Sequence, residues 1–100
     1  MATKAKSGMP TSAGAYALQN LSATSDAFLI AKARKAGQLL MGKANLGEFG
    51  GFKDNVSPSW SSLGGETLSP YDCQHSCGSS GFPVVAVAAG FTPVALGTET

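Results

Sequence analysis

Two thiols and an imidazole fall within five residues at Cys73-Gln74-His75-Ser76-Cys77, a grouping that invites either a metal or a thiolate nucleophile. A structural zinc site wants four ligands, commonly as two separated pairs. The chain has no third cysteine and no second histidine, so an incidental surface loop is the simpler reading and no metal is expected. A Cys-His pair two residues apart on a loop does not aim thiol at imidazole, and no third group stands out to orient the ring. Glu48 and Glu66 are separated by loop and form no acid/base pair on sequence alone. Gly78-Ser79-Ser80-Gly81 says more, because a run of small residues follows it directly. Hydroxyls at the entrance of a helix sit beside unpaired N–H groups and the positive end of the dipole, where they can organise an oxyanion or a proton-transfer network. The plainer alternative is an ordinary Ser N-cap.

The elements that would hold these residues are short. Residues 1–15 are small and polar, punctuated by Gly8, Pro10 and Gly14, and read as loop. Ser25 as cap and Asp26 in the first turn open a helix over 26–36. Phe28, Leu29, Ala31 and Ala36 form its partial apolar face, Lys32, Arg34 and Lys35 a solvated basic end, and Gly37 the stop. Gln38–Gly42, apolar between glycines, fits a short buried strand, and Asn45–Phe49 a single helical turn capped by Asn45. Residues 50–80 carry isolated aromatics and no lasting period, a length of irregular chain that is functional when it is not disordered. Phe82–Ala89 is predicted helical and buried on all sides, with Pro83 in its first turn and Gly90 closing it. Thr92–Leu96 is expected as a second short strand.

Composition narrows the class. One hundred residues at net charge +1 leave room for one small domain. Fifteen of the hydrophobic residues are Ala, and Leu, Ile, Val and Phe together number 20, at the edge of what offsets ordering entropy. Charged residues are 13%, half the usual share, so the high charge of disordered chains is missing too. No basic stripe suits nucleic acid, no apolar run approaches the length of a membrane span, and no apolar stretch follows Lys4 and Lys6 to make a secretory signal. A cytoplasmic setting is the default.

Taken in order, the motifs resemble the amidase signature family, with a flavour closest to its fungal members. Gly8-Met9-Pro10-Thr11-Ser12-Ala13-Gly14 is similar to the family's Thr/Ser-Ala-Gly segment. Leu40 to Phe49 is similar to its Gly-Lys-Thr/Ala-Asn-x-x-Glu-Phe/Trp element. Trp60-Ser61-Ser62-Leu63-Gly64-Gly65-Glu66, Ser69-Pro70-Tyr71-Asp72, Gly78-Ser79-Ser80-Gly81 and Ala95-Leu96-Gly97-Thr98-Glu99-Thr100 follow in family order. Cys77, Phe82 and Pro83 depart from it, standing where the family has Gly or Ala, Gly, and Ser.

The resemblance implies an α/β fold, here a partial mixed sheet flanked by helices, with residues 1–100 forming one partial domain. It implies hydrolysis of an amide bond in a small-molecule substrate by a Ser–cis-Ser–Lys triad, without metal or organic cofactor. One serine attacks, the serine after the cis bond relays protons, and the lysine begins the relay as base. Ser79 takes the place of the cis-serine, and Thr100 begins the segment that supplies oxyanion-hole N–H groups. The attacking serine belongs shortly beyond Thr100 and the lysine to a Lys-Asp-Asn segment ahead of Met1. Lys4 and Lys6 lack the Asp-Asn that follows that lysine, and Lys53-Asp54-Asn55 spells the tripeptide at the wrong place in the order. The hundred residues alone are therefore expected to be inactive and only marginally stable, as a slice of a larger core. The alternative is a non-catalytic piece that docks on a full-length partner, or on itself, through open strand edges at 38–42 and 92–96.

Overall fold

The computed structural model describes residues 1–52 and 56–99, so Lys53-Asp54-Asn55 and Thr100 lie outside the described residues. It is a small α/β arrangement. Two helices, α1 (Phe28–Lys35) and α2 (Gly81–Ala88), accompany one antiparallel hairpin of β1 (Trp60–Ser61) and β2 (Gly65–Glu66), with Trp60 opposite Glu66 and Ser61 opposite Gly65. That hairpin is the only sheet among the described residues.

Helix α1 begins two residues later than its cap signals suggest. Ala27 occupies the N-cap with no side-chain bond, and Asp26 caps no helix N–H but accepts the Lys4 amide at 2.9 Å and, from the last turn of α1 itself, Arg34 Nε at 3.1 Å. A partner from outside the helix outcompetes the local cap. The end is as expected: Gly37 has φ +80°, its N–H donates to Arg34 O, and the Gln38 N–H donates to Ala33 O. These two bonds are a Schellman closure. The buried residue of α1 is Ile30, whereas Phe28 and Leu29 are exposed and the Lys32 ammonium lies 5.1 Å from the Phe28 ring centre. Arg34, read from the sequence as part of a solvated face, is exposed and also bonds Asp26 and Ser7.

Helix α2 closes in the same way. Gly90 at φ +77° donates to Val87 O and Phe91 N–H donates to Ala86 O. Pro83 lies in the first turn, where its missing N–H breaks no helix bond. Only one face is covered, by way of Gly81, Pro83 and Ala86, while Val84 is 69% exposed. Burial on all sides is thus corrected to burial on one.

Neither expected short strand forms. Residues 38–42 and 92–96 are irregular, and a strand exists only where a neighbour completes its ladder. Leu39 and Met41 are 86% and 77% exposed. The two short strands expected at these places are thus corrected to irregular chain. The turn after Asn45 is a single 3₁₀ turn at Glu48–Gly50 without a side-chain cap, because the Asn45 amide is used elsewhere.

The most deeply buried side chains are polar. Ser59 and Ser61 have no exposed surface, and Thr3 and Thr67 are nearly as covered. Outside the short β1–β2 hairpin, the stretch between residues 56 and 80 is held largely by side-chain hydrogen bonds of residues such as Asn45, Ser59 and Ser61. Asn45 Nδ2 donates to Gly65 O at 3.0 Å and to Thr67 Oγ1 at 3.1 Å, while its Oδ1 accepts the Ser61 hydroxyl at 2.7 Å. Ser61 Oγ also accepts the Gly64 N–H, closing the hairpin turn. No buried side-chain polar atom among the described residues lacks a partner, as low-dielectric surroundings require.

Candidate active site

The loop 76–80 that leads into α2 is built onto Pro58-Ser59. The Ser59 hydroxyl donates to Ser76 O at 2.8 Å, with Cys77 O at 3.0 Å sharing the proton. The Ser76 hydroxyl lies 2.9 Å from Ser59 Oγ and 3.1 Å from Thr67 O. Three glycines make the fit possible. A Cβ at Gly47 or at Gly78 would collide with the Pro58 carbonyl from either side, and one at Gly81 with the Ser59 and Ser76 hydroxyls. Such close approaches leave room for no side chain. The tight position at the helix start is thus Gly81, and Phe82 beside it is only half-buried.

These contacts fix Ser79. The Gly47 N–H donates to Ser79 O at 2.8 Å, and the Gly78–Ser79 peptide bond is cis. Ser79 is half-buried, and its hydroxyl has no hydrogen-bond partner among the described residues.

Ser80 sits at the N-cap of α2 but makes no capping bond. Its hydroxyl accepts the Thr98 N–H at 3.0 Å and lies 3.3 Å from Thr98 O, so it ties the 97–99 segment to the start of α2. A Cβ at Gly97 would lie 3.2 Å from Ser80 Cβ, close packing for the same junction. The ordinary N-cap reading of these serines is replaced by a tertiary tie.

Sequence order and this geometry meet in the comparisons with known proteins. The model of the Amidase family matches residues 3–100. The chain belongs to the amidase family. It is 39% identical over 94 residues to a glutamyl-tRNA(Gln) amidotransferase subunit of Psychrobacter cryohalolentis, covering 93% of this chain and 18% of that protein. It is 38% identical over 101 residues to a putative amidase of Schizosaccharomyces pombe, covering 99% of this chain and 17% of that one. Among solved structures, a peptide amidase in complex with the competitive inhibitor chymostatin matches with a TM-score of 0.79 at 45% identity, over 84% of this chain and 18% of that chain. This amidase-family chain thus spans less than a fifth of the length of these relatives.

The other candidates separate from Ser79. Cys73 and Cys77 are free and exposed, and the described residues include no group of three His, Cys, Asp or Glu placed to hold a metal. His75 Nδ1 instead lies 3.3 Å from Glu66 Oε1, which also accepts the Ser57 hydroxyl at 2.7 Å. Glu48 accepts the Ser62 N–H at 2.7 Å, so the two glutamates serve different segments. Lys43 Nζ donates to Pro10 O and Thr11 Oγ1, and partial burial pulls its pKa below the usual lysine value. No helix among the described residues is long and apolar enough to cross a membrane. Sequence reading missed Ser59, Ser76 and the Pro58 carbonyl, and took Asn45 for a helix cap. The sequence signal for the first three was the placement of Gly47, Gly78 and Gly81, where a Cβ would meet them.

Proposed function

We propose that this chain supplies the middle serine of an amide-hydrolysing Ser–cis-Ser–Lys site, with Ser79 as the proton relay. The observation that carries the reading is the Ser79 position itself. Its carbonyl is held by Gly47 N–H, the loop before it is held by the buried Ser59 hydroxyl, and its own hydroxyl has no hydrogen-bond partner among the described residues of a chain that matches the amidase family over residues 3–100. A relay must hold a proton donor and acceptor at one place, and a serine hydroxyl on a fixed backbone meets that need. In this reading Thr100 opens the segment that offers N–H groups to the oxyanion. The substrate class is a small-molecule amide, and no cofactor takes part.

The same reading sets the fold in a larger mixed sheet. Leu39, Met41 and Val94 are apolar and more than 70% exposed, and they lie in the two segments that only a neighbouring strand would order. The hundred residues by themselves are expected to release no ammonia from a simple amide, since Ser79 has no lysine and no second serine hydrogen-bonded to it among the described residues. Residues 3–100 grafted into the matching region of the peptide amidase are expected to restore hydrolysis. Turnover of a simple amide by the hundred residues alone, abolished by Ser79→Ala, would sink the reading of inactivity.

A further inference from the structure

Beside α1, an open depression of about 300 Å³ is lined by Lys4, Lys6, Ser7 and Arg34. We propose that it binds a phosphate dianion of the phosphate-monoester class. Three of the four lining side chains are cations, and none is an acid. The nearest carboxylate, Asp26, lies beneath the site with its side chain only 8% exposed. It is occupied there, by the Lys4 amide at 2.9 Å and Arg34 Nε at 3.1 Å. Three cations over one carboxylate leave a surplus of two positive charges, the complement of a phosphate dianion rather than of a monocarboxylate.

The donors are also arranged for it. Asp26 takes one edge of the guanidinium and so fixes its plane, while Arg34 Nη2 donates to Ser7 Oγ at 2.6 Å. Having accepted that bond, the Ser7 hydroxyl keeps its own proton to donate. The second Nη of Arg34 and the Lys4 and Lys6 ammonium groups make no hydrogen bond among the described residues, so they remain available to phosphate oxygens. A planar guanidinium held in place with ammonium groups beside it is the usual chemistry of phosphate recognition. The single turn Ala5–Ser7, closed by Ser7 N–H to Lys4 O at 2.9 Å, sets Lys4, Lys6 and Ser7 on one rim.

The test is a titration of the isotopically labelled chain with inorganic phosphate at 5 °C and constant ionic strength, followed by backbone amide shifts. Saturable shifts confined to Lys4, Lys6, Ser7 and Arg34 are expected, with acetate weaker by about tenfold. Lys4→Ala and Lys6→Ala each remove a cation without touching the Asp26 bonds and should each weaken phosphate by about tenfold. Lys32→Ala and Lys35→Ala, on the same helix but outside the site, should leave it unchanged. Phenyl phosphate should bind at least as well as inorganic phosphate. The proposal is overturned if shifts do not saturate, if acetate equals phosphate, if the four lysine variants behave alike, or if a duplex oligonucleotide binds where inorganic phosphate does not.

Discussion

The Gly47 amide donates to the Ser79 carbonyl at 2.8 Å across thirty-two positions of sequence, with the Pro58 carbonyl packed against both Gly47 and Gly78. One serine is thereby located by two distant segments at once. The fit depends on the absence of side chains at the glycines.

Gly47→Ala tests that dependence. Gly47 has φ −58°, which alanine adopts freely, so any cost is the collision of Cβ with Pro58 O. Overpacking of this kind costs about 1–3 kcal/mol. Gly42→Ala, where a Cβ meets nothing within 4 Å, should be neutral or mildly stabilising. Urea midpoints of the two variants should move in opposite directions or differ clearly; equal midpoints would show that the Pro58 contact is slack.

Ser59→Ala removes the donor shared by the Ser76 and Cys77 carbonyls from a site with no exposed surface. Losing a buried hydroxyl's hydrogen bonds to two carbonyls costs on the order of 1 kcal/mol or more. The loop 76–80 should lose amide exchange protection in this variant while the end of α1 keeps its own. Uniform loss across the chain would mean that Ser59 supports the fold generally and not this loop.

Acid should weaken the junction between the amino-terminal turn and α1. The Lys4 amide above all, helped by the charge of Arg34, holds the Asp26 carboxyl below its ordinary 3.8, against the opposing effect of burial. A carboxyl that titrates lower when folded leaves the unfolded chain binding more protons, so its contribution is whole above about pH 5 and is lost as the pH falls through and below the ordinary value. Asp26→Asn should flatten the fall of the urea midpoint between pH 5 and pH 3, with Asp72, also lowered by the Ser69 hydroxyl and the Gln74 amide, supplying a residual slope. A variant that tracks the parent over that range would assign the acid sensitivity elsewhere.

What could be read from the sequence follows from the distance over which each feature is determined. Both helix ends were legible because a glycine in the left-handed region closes a helix within three residues, as at Gly37 and Gly90. The start of α1 was not, since Asp26 answers to Lys4, twenty-two positions away. The segments 38–42 and 92–96 carry strand-like residues, but a strand needs a partner that local pattern does not reveal. Ser79 was singled out by motif order alone. Its supports were hidden, because Ser59 reaches Ser76 and Cys77 over seventeen and eighteen positions, and an isolated serine in a loop gives no sign that it is buried.

The most direct measurement compares amide hydrolysis by the peptide amidase carrying residues 3–100 of this chain with the same graft bearing Ser79→Ala, both shown to be folded by circular dichroism. A proton relay at Ser79 predicts a loss of about 10²–10⁴-fold in kcat, with Ser80→Ala retaining far more activity. A folded graft whose Ser79→Ala form hydrolyses the amide within about twofold of its parent would contradict the assignment of Ser79 to the active site.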